Sequence, residues 1–185
     1  MDTASASRFS TLGRYLLIAI VAVLSTVLLH EFAHWLAGVV LGYDMAMSLN
    51  TVRAVDGFTE AWHATAVTLA GVLTTIAQAV VVYWLMQGGR RRWLYPFLLT
   101  PLAFRLMAMV MNLFNPNDEG RLSELLGLNL FVLPAIVCGS LLWLTYRIAR
   151  AHKIGWKRNT LDGFVLVHLI GALIMLDQSF AIRLL

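Results

Sequence analysis

Two histidines and a glutamate stand in L-L-H-E-F-A-H-W-L-A-G, residues 28–38, inside one of the most apolar stretches of the chain. Insertion scales put the cost of a charged group at the centre of a bilayer at about 2.5–3.5 kcal/mol, so three ionisable residues together demand a common reason. His30 and His34 are four residues apart. On a helix they leave the same face one turn apart, and their imidazoles can meet one cation. Glu31 lies about 100° further round the helix. In an H-E-x-x-H helix the imidazoles hold zinc, while the glutamate, not itself a ligand, takes a proton from the metal-bound water. The spacing therefore predicts a Zn2+ site with His30 and His34 as ligands and Glu31 as catalytic base. The competing reading makes the three residues simple hydrogen-bonding groups between helices.

A catalytic zinc site takes three protein ligands and keeps a fourth position open. The third ligand must lie at the depth of His30, and the end of the third apolar run, M-N-L-F-N-P-N-D-E-G-R, residues 111–121, offers Asp118. Pro116 has no amide proton and disfavours helix at Asn115, so the chain should break here. A break at membrane depth is tolerated where protein or a watery cavity surrounds it. The alternative is a plain turn in which Asn117 or Asp118 caps the next helix.

The elements that must position these groups are apolar helices. The chain has 185 residues, 59% hydrophobic and 13% charged, with mean hydropathy +0.75. Such a composition is too apolar for an ordinary soluble domain. Runs of bilayer length cover 15–41, 64–86, 93–114, 122–146 and 164–185. The expected fold is an all-α integral membrane protein of five transmembrane helices. A segment broken near Asp118 interrupts it, and Y-D-M-A-M-S-L-N-T-V in the first loop alternates loosely enough for a short β-hairpin. Residues 1–14 read as a cytoplasmic tail and 15–185 as a single domain; the first run is too long for a cleaved secretory signal.

Cys138 is the one cysteine, which excludes an internal disulfide and a cysteine-based metal cluster. The formal charge of +4 comes from basic residues in short loops, which suits membrane orientation better than nucleic-acid binding. Arg8, Arg14, Arg90, Arg91, Arg92, Arg147, Arg150, Lys153, Lys157 and Arg158 fall on one side, against Arg53, Arg121 and Arg183 on the other. This asymmetry places the N-terminus in the cytoplasm of an inner (plasma) membrane and the histidines in the outer half. Arg105 is an intramembrane cation without an evident partner.

These motifs resemble the site-2 protease class of intramembrane zinc metalloproteases, peptidase family M50. H-E-F-A-H-W-L-A-G-V-V-L-G-Y-D-M-A-M-S-L is similar to the family's H-E-x-G-H helix with its leucine-glycine turn and strand-forming loop. L-A-G-V-L-T-T-I-A-Q-A, residues 69–79, is similar to the A-G-P-x-x-N helix start, and N-L-F-N-P-N-D-E-G-R, residues 112–121, to the stretch that supplies the third ligand. The resemblance spans 15 to about 126. It implies His30, His34 and Asp118 as zinc ligands, Glu31 as general base, Asn112 as a substrate-backbone contact, and a transmembrane protein or peptide as substrate. Ala33, Val72, Thr75 and Glu119 depart from the family pattern. The resemblance also implies a site in the cytosolic half of the membrane, opposite to the charge count. A silent relative that binds metal or membrane partners without proteolysis is the alternative.

Other polar residues have plainer readings. Asp162 in T-L-D-G-F mimics the third-ligand signature but is placed to cap a helix. His168 and Asp177 read as hydrogen-bonding residues between helices, with Asp177 also within reach of the outer half as a substitute ligand. His63 beside Trp62 reads as interfacial, and His152, among basic residues, as solvated.

Overall fold

The computed structural model describes the backbone of residues 3–89, 91–180 and 182–185, with side chains from Leu12 onward. In order, the elements are α1 (Thr3–Val40), β1 (Met45–Met47), β2 (Val52–Ala54), α2 (Ala61–Met86), a 3-10 turn (Arg92–Leu94), α3 (Tyr95–Met111), α4 (Asp118–Leu125), α5 (Val132–Ala151) and α6 (Trp156–Phe180). Five helices are long and apolar enough to cross a membrane: Leu12–Val40, Ala61–Met86, Arg92–Met111, Val132–Ala151 and Trp156–Phe180. Their outer faces carry exposed Leu17, Leu73, Val81, Leu106, Leu142 and Met175. Water penalises so large an apolar surface, and these helices are compatible with a multi-pass membrane protein.

The centre of the bundle is α3, on which Tyr95, Pro96 and every residue from Leu98 to Arg105 are buried. Leu98 and Leu102 meet Ala19, Val23 and Val27 of α1, Ala79 and Val82 of α2, Leu141 and Ile148 of α5, and Leu166 and Ile170 of α6 in one core. Pro101 removes the helical donor from the Phe97 carbonyl. The amide of Gln78, on α2, reaches that carbonyl at 3.5 Å and bonds Thr26 of α1 at 2.7 Å.

Three boundaries differ from the hydropathy reading. Helix α1 continues back to Thr3 through the segment read as a tail. The run 122–146 is two helices, because Gly127 takes φ +69 and closes α4 through Leu128 N–H to Ser123 O at 2.9 Å. Hydropathy cannot register that break, since leucines surround the glycine. The last helix starts at Trp156, which puts Asp162 in its second turn rather than at its cap; there it pairs with Arg158 at 2.8 Å. His152 is buried, not solvated, and donates from Nε2 to Met86 O at 2.9 Å.

The first loop forms the hairpin. β1 and β2 pair antiparallel with Met45 opposite Ala54, Ala46 opposite Arg53 and Met47 opposite Val52. Gly42, in the turn after α1, takes φ +88 and lets the chain fold β1 back toward Gly38. A side chain at Gly38 would overlap Met45, with a Cβ 2.6 Å from Met45 Cε. Residues 183–185 run along the other edge of β1: Ser48 bridges Arg183, and Met47 N–H donates to Leu185 O at 2.9 Å. Asp177 does not bond another helix among the described residues. Its carboxylate accepts from Ser48 Oγ at 2.7 Å, Leu49 N–H at 3.1 Å and Asn50 N–H at 3.2 Å, and so ties α6 to the hairpin turn. His168 is exposed and bonds Phe164 O of its own helix.

Each hydrogen bond to a charged acceptor contributes about 1.5–3 kcal/mol. Asp177→Ala is therefore expected to speed amide exchange across 45–54 by tenfold or more while the helices keep their protection. Unchanged exchange in the hairpin would show that the carboxylate does not hold it.

Candidate metal centre

Helix α1 delivers His30 and His34 from one face, and both are buried. Asp118 comes from the first residue of α4, just after the break at Pro116. The break is held by two asparagines: Asn117 N–H donates to Asn112 Oδ1 at 2.6 Å, and Asn117 Nδ2 donates to Ala108 O at 2.7 Å. Asn117 stands at the N-cap of α4 but makes no side-chain cap bond; its side chain is turned back to α3.

Three atoms converge. His30 Nε2 lies 3.1 Å from His34 Nε2 and 3.1 Å from Asp118 Oδ2, and His34 Nε2 lies 3.4 Å from Asp118 Oδ2. Tetrahedral zinc with ligands at about 2.0–2.1 Å sets neighbouring donor atoms roughly 3.3 Å apart. The triangle matches that edge length, so these residues fit the ion.

The hydrogen bonds behind the rings decide which lone pairs face the triangle. His34 Nδ1–H donates to Val67 O of α2 at 2.7 Å. The Thr75 hydroxyl donates its one proton to Gly71 O at 3.1 Å, so it accepts from His30 Nδ1–H, also at 3.1 Å. With each Nδ1 engaged in this way, a neutral ring presents its Nε2 lone pair to the triangle, the arrangement that fixes ligand histidines in metal sites. Three acceptors face one another across distances where a proton or a cation must sit.

Arg105 is the nearest protein cation, and its partner is Glu119, at 2.9 Å, with both side chains buried. Its Nη2 is 3.2 Å from His30 Nε2 and 3.3 Å from Nδ1. A donor on the Nε2 lone-pair axis would lie much closer to Nε2 than to Nδ1. The guanidinium thus rests against the ring and leaves the lone pair open. Arg105 Nη1 also lies 3.8 Å from Asp118 Oδ2, so this one cation faces two carboxylates.

Glu31 is buried on the same turn and stands outside the ligand triangle. His63 bonds Tyr43 OH at 2.7 Å and Asp162 is paired with Arg158, so neither joins the site. Sequence reasoning missed Gly71, Thr75 and the Arg105–Glu119 pair. A Cβ on Gly71 would overlap His34 Nε2 and come within 2.6 Å of His30 Cε1. Only glycine lets α2 lie this close to both rings, and its i, i+4 spacing to Thr75 was the available signal. An intramembrane arginine likewise announces a buried carboxylate without naming it. Comparison of the chain with family models, with curated proteins and with solved structures finds no match.

Purified protein is expected to hold one zinc per chain, lost in His34→Ala and in Asp118→Ala. Gly71→Ala is the sharper case. A helix interior normally gains about 1 kcal/mol from this change, yet here zinc affinity should drop by at least tenfold while helicity stays intact. Wild-type zinc affinity in Gly71→Ala would reject the packing derived for α2.

Proposed function

We propose that the protein is an intramembrane zinc metalloprotease that hydrolyses peptide bonds of membrane-embedded protein or peptide substrates. One observation carries this reading: three acceptor atoms at the edge length of a tetrahedral zinc site, with a buried glutamate on the same helical turn. His30, His34 and Asp118 would hold the ion, which when bound supplies Lewis-acid polarisation of a carbonyl and lowers the pKa of water. The rest is done by the chain. Glu31 takes a proton from the attacking water and returns it to the leaving amine, a transfer that contributes about 10²–10⁴ in rate. Asn112 Nδ2, buried and without a partner among the described residues, is a donor for a substrate carbonyl. A helical substrate hides its carbonyls and must unwind, after which the outer edge of β2 can accept it as an added strand.

In this reading the N-terminus is cytoplasmic and the protein lies in an inner membrane, with the site towards the outer half. A second reading, a metal-holding relative without turnover, is favoured by the guanidinium of Arg105 against the His30 ring, which narrows the approach to the site.

Glu31→Gln is expected to lower cleavage of a model transmembrane peptide by 10² or more while zinc content stays at one per chain. Cleavage at the wild-type rate would reject the mechanism, and no chelator-sensitive cleavage by the wild type would favour the second reading. Cysteines placed at Asp56 and at Gly155 should label from outside and from inside respectively; the reverse pattern would invert the topology.

A further inference from the structure

At the opposite end of α1 from the histidines, about 22 Å away by helical rise from Tyr15 to His30, the fold encloses a cavity of about 470 Å³. It is lined by four cations, Arg14, Arg92, Lys153 and Arg158, together with Trp93 and Tyr95. The one acid in its wall, Asp162, is paired with Arg158. Among the described residues no carboxylate pairs with Arg14, Arg92 or Lys153, although Arg92 Nη2 does donate to His152 O at 2.5 Å. The cations come from three separate places in the chain: the start of α1, the turn before α3, and the α5–α6 corner. Orientation of the chain in a membrane requires basic residues in loops, but it does not require them to surround one hollow.

Lys153 supplies a second, independent observation. Helix α5 ends in a Schellman turn, with Ile154 N–H to Ala149 O at 2.8 Å and Lys153 N–H to Arg150 O at 3.2 Å. Lys153 occupies the position of that turn that glycine usually fills, with φ +54, and is the sole non-glycine residue with positive φ among the described residues. The left-handed conformation disfavours a side chain there. Glycine would be easier at this position, and the side chain of the lysine that stands there lines the cavity.

We propose that this cavity binds a phosphate-bearing anion at the membrane surface, with Lys153, Arg14 and Arg92 as the phosphate-facing cations and Trp93 at the headgroup boundary. Trp93 is 52% exposed beside it, as an interfacial tryptophan is. An anionic phospholipid headgroup and a soluble phosphate ester share this chemistry.

The test is a titration of detergent-solubilised full-length protein with short-chain phosphatidylglycerol, short-chain phosphatidylcholine and inorganic phosphate, read by thermal stability. Phosphatidylglycerol is expected to stabilise at concentrations at least about fivefold below phosphatidylcholine, the effect of roughly one basic side chain near an anionic surface. Stabilisation by inorganic phosphate at similar concentrations would support the site and assign it to soluble phosphates. Lys153→Gly relieves the backbone, so the free variant should melt at or above the wild-type temperature and keep its zinc content, yet lose about fivefold in phosphatidylglycerol affinity. Equal response to all three ligands, or unchanged affinity in Lys153→Gly, would overturn the proposal. Neither result depends on catalysis at Glu31.

Discussion

Three ligand atoms, from His30, His34 and Asp118, crowd together in the buried part of this bundle. His30, His34 and Asp118 turn acceptors towards a common point, and the protons that could relieve them are already committed to Val67 O and to Thr75 Oγ1. Much of the neighbouring architecture serves to impose this arrangement. Helix α2 comes close enough to fix both ring orientations because Gly71 has no side chain. The break after α3 exists to bring one carboxylate back across the helix end, and Asn112 and Asn117 stitch that break with main-chain bonds. A buried imidazole is normally a liability; oriented from behind, its free nitrogen is aimed at one point.

Charge is handled by the same economy of position. Arg105 and Glu119 form a buried ion pair beside the ring of His30. Removing either partner alone would strand the other, a loss of about 3–5 kcal/mol for buried pairs. The pair therefore behaves as a single neutral unit and shapes the wall of the site. Glu119, which looks intrusive beside Asp118 in the sequence, has its own counter-ion in space.

How much of this was legible in the sequence follows from the range of each interaction. Hydropathy located the five helices, because burying or exposing roughly 20 apolar residues is a property of the segment alone. The i, i+4 histidines and the proline-bearing break pointed at His30, His34 and Asp118 because helical periodicity and a missing amide proton are local facts. Loose alternation was enough for β1 and β2. What stayed hidden was pairwise and distant: Thr75 beneath His30, Arg105 against Glu119, and Asp177 reaching across 127 residues to Asn50. Gly127 was hidden for a different reason, since a left-handed residue among leucines leaves hydropathy unchanged. His152 was misread because charge in the neighbouring sequence suggested solvent, whereas the corner folds inward over Met86; Asp162 was misread as a cap because the last helix already begins at Trp156.

Residues 183–185, which bridge Ser48 and bond Met47, give the hairpin a closed side and an open one. The Met47 donor of β1 is already spent on Leu185, while among the described residues no strand pairs with the far edge of β2, Val52–Ala54. Any extended chain arriving at this sheet meets only one unoccupied ladder, and on the other flank it would have to unzip the molecule's own tail. Direction of approach is thus built into the backbone before any side chain is consulted.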